Sequence, residues 1–158
     1  MTNIDSKFAK LIIKIIATFF FMGYLPFIPG SIGSIIGLVI FSYAKNSIPA
    51  YAFLILFFLW LGFLLSGKAE IALKRKDSPA IIIDEIAGIL LSFLFVPYNF
   101  KLIIIGFFLF RILDTLKPYP AGRVQDMHGS AGIMGDDIIA ALYTNIILQV
   151  VSRIMLKL

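Results

Sequence analysis

The chain has 158 residues, 60% of them hydrophobic, with a mean hydropathy of +0.99 and a formal net charge of +5. A soluble domain of this size lacks the interior to hide so many Leu, Ile and Phe side chains, so a bilayer is the solvent to expect. Cysteine is absent, which excludes disulfides and thiolate metal sites. No interleaved basic and aromatic surface argues for nucleic acid, and the positive charge suits loops facing anionic lipid.

The first apolar run, 11–22, is short and interrupted by Lys14, so it fits a tilted span or an interfacial helix. It has no small-residue cleavage site before Gly23 and is expected to be retained. The stretch 23–34, "GYLPFIPGSIGS", carries three glycines and two prolines and is expected to be a re-entrant or broken-helix loop. Apolar character resumes over 35–44, and 45–49 reads as a turn. The segment 50–66 is the clearest membrane helix, roughly 25 Å long at α-helical rise. A polar connection at 67–79 holds Lys68, Lys74, Arg75 and Lys76 against Glu70 and Asp77, so it should face the cytoplasm. Apolar segments follow at 80–96 and 101–116, joined by the turn 97–100. A Gly/Pro-containing loop, 117–132, precedes a last helix from about Ile133 to Leu156. The expectation is one domain over 1–158, an all-α, compact multi-helix integral membrane bundle.

Alternating the helices across the bilayer has a consequence for the charges. With 67–79 inside, Asp84 and Glu85 lie at the inner end of their helix. Arg111 and Asp114 lie at the inner end of theirs, and Asp136 and Asp137 open the last helix on the same side. The carboxyl end, with Arg153 and Lys157, falls outside. Six charged side chains from three helices therefore converge at one depth, beside "PGSIGS" (29–34).

Charge at membrane depth costs about 2.5–3.5 kcal/mol per residue, so it persists where it is paired, hydrated or metal-bound. Asp114 has local cations in Arg111 and Lys117, three residues away on either side. Helix-start electrostatics accounts for one of Asp136 and Asp137 but poorly for both. Asp84 and Glu85 have no cation nearby in sequence. Five carboxylates (Asp84, Glu85, Asp114, Asp136, Asp137) with no Cys and one His suit a hard divalent cation such as Mg²⁺. Arg111, Lys117 and Arg123 beside them suit a bound phosphate. Gly30, Ser31, Gly33 and Ser34 offer backbone N–H groups and hydroxyls ahead of a helix, a candidate phosphate cradle. His128 is a minor candidate for protonating a leaving group.

Four strings resemble the phosphatidylglycerophosphatase A family: "PGSIGS" (29–34), "IIIDEIAG" (81–88), "FRILDTLKPYP" (110–120) and "HGSAGIMGDDIIAAL" (128–142). The chain departs from the family pattern at Ser130, where a second glycine is usual, and at Ala141. The resemblance implies a Mg²⁺-dependent phosphatase of the bacterial inner membrane that converts phosphatidylglycerophosphate to phosphatidylglycerol. By matching position it implies catalytic roles for Asp84, Asp114, Asp136 and Asp137 and metal ligation by these four and Glu85. It also implies phosphate binding by Gly30, Ser31, Gly33, Ser34, Arg111 and Lys117. The implied partners are the lipid substrate and the bilayer, with no nucleic acid. The alternative of a different class is a proton- or ion-coupled transporter, which would place acids near mid-bilayer with paths to both faces. A phosphoalcohol transferase would show DGxxAR…GxxxDxxxD, and the chain lacks it.

Overall fold

A computed structural model describes residues 7–26 and 28–155. Seven α-helices and no strand occur among them: α1 (Lys7–Ala17), α2 (Pro29–Ala44), α3 (Ile48–Leu73), α4 (Ile83–Ser92), α5 (Phe100–Leu116), α6 (Ala121–Gln125) and α7 (Ser130–Met155). The expected end of the last helix at Leu156, and Lys157 beyond it, lie outside the described residues.

The outer surface is apolar. On α3, Phe53, Leu56 and Trp60 are 65%, 66% and 61% exposed; Phe108 and Ile112 on α5, and Ile146, Val150 and Ile154 on α7, are also exposed. These residues recur three or four apart, so each helix turns one continuous greasy stripe outward. Contiguous exposed apolar surface of this extent fits hydrocarbon rather than water. α3 and α7 have 26 residues each and are long and apolar enough to cross a membrane.

α4 sits at the centre, packed against α2, α3, α5 and α7. Ile83, Ile86, Ala87, Ile89 and Leu90 are all buried. The apolar segment 80–96 was expected to span, yet only ten of its residues are helical. At about 1.5 Å per residue this half-helix covers roughly 15 Å. Its start is fixed from outside, where Ile82 N donates to Ala17 O at 3.0 Å. Its end is fixed by α7: Asn145 Nδ2 donates to Ser92 O (3.0 Å) and Leu94 O (2.8 Å), and Gln149 Nε2 to Leu94 O (3.0 Å). Carbonyls left over at a helix end inside a bundle need such partners, because no water is at hand. Tyr51 Oη donates to Leu90 O nearby.

Three other boundaries differ from expectation. Pro29 occupies the first turn of α2, so "PGSIGS" is helix, not loop; proline fits a first turn because its missing N–H has no helical partner to lose. The break in the chain lies before it, in turns and a 3-10 turn at Met22–Tyr24. α3 runs seven residues past the expected end at 66, since "GKAEIAL" contains good helix formers and no proline. It stops where Lys74 adopts a left-handed φ of 55°. Within 117–132, Ala121–Gln125 forms α6, and α7 begins at Ser130 rather than Ile133.

Candidate active site

The first turn of α4 holds Asp84 and Glu85, where the positive end of the helix favours acids. Arg111 and Asp114 lie near the C-terminal end of α5. Asp136 and Asp137 are the seventh and eighth residues of α7, because that helix starts at Ser130. They stand about 9–10 Å along the axis, beyond the reach of a first-turn effect, so helix-start electrostatics does not account for them.

These elements enclose a cavity of about 320 Å³ lined by Asp84, Glu85, Asp114, Lys117, Asp136 and Asp137 among others. Asp84, Asp136 and Asp137 are only 7%, 5% and 4% exposed. Arg111 Nη1 donates to Asp114 Oδ2 at 2.7 Å, which decides between the two local cations of Asp114. Lys117 turns to α7 instead and donates from Nζ to Asp136 Oδ2 at 2.5 Å. Partial burial alone would lower the Lys117 pKa; its bond to Asp136 and the surrounding acids outweigh that and hold it above the usual lysine value.

The two cations leave several acceptors over. Glu85 Oε2, Asp136 Oδ1 and Asp137 Oδ2 are buried with no hydrogen-bond partner. One oxygen each from Asp84, Glu85 and Asp137 lie within 4.8 Å of one another, and so do one each from Asp114, Asp136 and Asp137. Buried, unpartnered, oxygen-only donors fit a hard divalent cation.

The other expected phosphate ligands divide. Gly30 reaches the site wall: a Cβ there would lie 2.5 Å from Glu85 Oε1 and 2.7 Å from Arg111 Nη2. Gly30 and Ser31 occupy the first turn of α2, where backbone N–H groups have no helical acceptor. Gly33 instead packs against Ile82 O and the Glu85 Cβ. Ser34 is fully buried and its hydroxyl donates to Gly30 O at 3.0 Å, inside its own helix. Arg123 is not among the cavity-lining residues; its guanidinium lies over the Tyr119 ring, 5.1 Å from the centroid. His128 lines a different cavity, with Gly67 and Lys68.

Asp77 and Thr115 line the acid cavity and were not singled out in the sequence. Asp77 is held at the exposed rim, its N–H donating to Glu70 Oε1 (3.0 Å) and its Oδ2 accepting from Gln125 Nε2 (2.7 Å). Its partners lie seven and 48 residues away, so only the folded chain reveals it. The Ser130 departure is benign. The positive φ of 69° falls on Gly129, and Ser130 Oγ accepts from Gly67 N at 2.9 Å, tying α7 to α3.

The family profile described as Phosphatidylglycerophosphatase A matches residues 15–152. The chain belongs to the phosphatidylglycerophosphatase A family. It is 30% identical to the Phosphatidylglycerophosphatase A of Escherichia coli over 143 residues, 88% of this chain and 83% of that protein. It is 31% identical to the Haemophilus influenzae protein of the same name over 149 residues, 91% of each chain. It is also 30% identical, over 86% of this chain and 91% of the relative, to a protein of Bacteroides thetaiotaomicron named Putative phosphatidylinositol-3-phosphatase. No solved structure matches the chain. Membership in the phosphatidylglycerophosphatase A family makes the protein a lipid phosphatase, a phosphoric monoester hydrolase, and removes the transporter alternative.

Proposed function

We propose that the protein hydrolyses phosphatidylglycerophosphate to phosphatidylglycerol and phosphate, with Mg²⁺, at the cytoplasmic face of the bacterial inner membrane as a multi-pass protein. The observation that carries this reading is the acid cavity at one end of an apolar bundle, with Lys117 and Arg111 beside buried, unpartnered carboxylate oxygens. The cavity end is also the end of the basic connection Lys74–Lys76, which supports the cytoplasmic side.

Asp84, Glu85, Asp114, Asp136 and Asp137 would hold the metal. Bound there, Mg²⁺ would offset the charge that develops on phosphate oxygens during transfer. Arg111 and Lys117 would orient the phosphate and stay fixed while charge shifts, since each is anchored by a carboxylate. The first turn of α2 adds free N–H groups to that cradle. One carboxylate would take the proton of the attacking water, or attack phosphorus itself and form an acyl-phosphate that water then cleaves. The acyl chains would remain among the outward stripes while only the head group enters.

The test is phosphate release by the purified protein from phosphatidylglycerophosphate, phosphatidylinositol 3-phosphate and a water-soluble phosphomonoester, each with Mg²⁺ or EDTA. The expected result is Mg²⁺-dependent release from phosphatidylglycerophosphate, abolished in Asp136→Asn and Asp137→Asn variants that remain folded. Preference for the inositol lipid would move the substrate to the one named in the Bacteroides relative. Release from the soluble ester alone would refute a lipid substrate.

A further inference from the structure

The end of the bundle opposite the acids holds a second cavity, of about 490 Å³. The last turns of α2 and α7, the start of α3 and the chain leaving α4 enclose it. Phe41, Phe93 and Val96 are buried and form its apolar base. Ile48 and Phe95, 64% and 70% exposed, flank the mouth, and Lys45 and Arg153 stand at the exposed rim. On α7, Arg153 lies sixteen residues beyond Asp137, about 24 Å of helix, so the two cavities belong to opposite membrane surfaces.

No acid faces these cations. The sequence carries no Asp or Glu over 30–69, 86–113 or 138–158, the stretches that build this end, yet it places Lys45, Lys101 and Arg153 there. Among the described residues Lys45 and Arg153 make no ion pair. Lys45 instead lays its Nζ over the Tyr98 ring, 3.2 Å from the centroid, which holds the ammonium in place and leaves its charge uncompensated. In the orientation proposed above this is the outer end, which the positive-inside tendency would keep poor in Lys and Arg, so orientation does not explain the cations.

We propose that this cavity binds an anionic glycerophospholipid, with the phosphate at Lys45 and Arg153 and the first part of an acyl chain against Phe41, Phe93 and Val96. The site is separate from the acid cavity and goes beyond the phosphatase reading. A mostly apolar hollow with a few polar groups at one edge is the form of a site for an amphipathic ligand. Tyr43 and Tyr98, 85% and 49% exposed, mark the head-group level, where lipid phosphates lie. A soluble anion would have no use for the apolar base. A zwitterionic lipid would bring its own ammonium against the two cations. A second copy of the chain, docked here symmetrically, would set the same cations against each other.

The experiment reads lipid identity at the cavity itself. Trp60→Phe removes the single tryptophan, and Phe95→Trp puts the fluorophore at the mouth. The full chain is reconstituted in phosphatidylcholine vesicles in which brominated phosphatidylglycerol or brominated phosphatidylcholine replaces increasing fractions of the lipid. Relative affinity is taken from the quenching curves. The expected result is phosphatidylglycerol bound at least about fivefold more tightly than phosphatidylcholine at the new tryptophan, the effect of one uncompensated cation near a lipid phosphate. Lys45→Gln combined with Arg153→Gln should bring that ratio to about one, and Trp60 in the unaltered chain, on the outer stripe of α3, should also report about one. Ile48→Trp in the same Trp60→Phe background is the second reporter if Phe95→Trp fails to fold, judged by helical content. A ratio of one in the chain that retains both cations overturns the proposal, as does a preference that survives the double substitution. Quenching by neither lipid would mean that protein covers the cavity, a second copy included, and also overturns it. Turnover plays no part in the readout, so the phosphatase reading stands or falls separately by phosphate release.

Discussion

Lys117 belongs to α5 by sequence and to the α7 site by its bond. It caps α5 with a left-handed φ of 47°, a conformation that swings its side chain toward Asp136. Replacing it with Met keeps much of the packed stem and removes the charge. Loss of a fixed cation at a site of developing negative charge should lower kcat/KM on the order of a hundredfold, checked by steady-state kinetics on lipid substrate in mixed micelles. Gly30→Ala tests the opposite wall. The new methyl would overlap Glu85 Oε1 and Arg111 Nη2, both ends of flexible side chains, so the fold should survive while the site is displaced. A displacement near 1 Å at a catalytic group can cost about a hundredfold. Activity within twofold of the unaltered chain would show that Gly30 is not part of the cradle.

Single elements were legible in the sequence to very different degrees. α5 was nearly complete, because Asn99 supplies an N-cap whose side chain accepts from Lys101 N at 2.9 Å, and the helix ends at the residue before Lys117. The extent of α4 is not legible, because an apolar run does not encode where a helix stops. Its end is set by Asn145 and Gln149, more than fifty residues away. The glycines of the "PGSIGS" string suggest a loop, yet they let α2 lie against Glu85, Arg111 and Ile82. The acids were legible as a set, since charge in a greasy chain has few uses. Their division into two groups was not, because it depends on how α4, α5 and α7 meet. One glycine shows how tightly they meet: a Cβ on Gly88 would lie 2.6 Å from Phe110 Cζ and 3.4 Å from Asp137 O. Gly88→Val should therefore destabilise the bundle by about 1–3 kcal/mol and lower activity, measured as a reduced midpoint in detergent-based thermal unfolding.

The whole molecule is inverted relative to a soluble protein, with charge gathered inside one end and hydrocarbon-compatible side chains outside. Trp60, the chain's single tryptophan, lies on that outer surface of α3. In vesicles its fluorescence should be quenched strongly by lipids brominated on the acyl chains and weakly by aqueous iodide; the reverse order would mean that α3 does not face lipid. Outward stripes on α3, α5 and α7 tell only which surface meets lipid, and they leave the inner contacts to do the positioning. The amide clasp between α7 and the end of α4 then acquires a mechanical meaning. Asn145 sits two turns beyond Asp137 on the same helix, and the carbonyls it grips belong to the far end of the helix that carries Asp84 and Glu85. The two helices behave as the arms of a caliper, riveted at one end and bearing carboxylates at the other. The opening of its jaws, and so the spacing of the acids, is braced by a rivet that touches none of them.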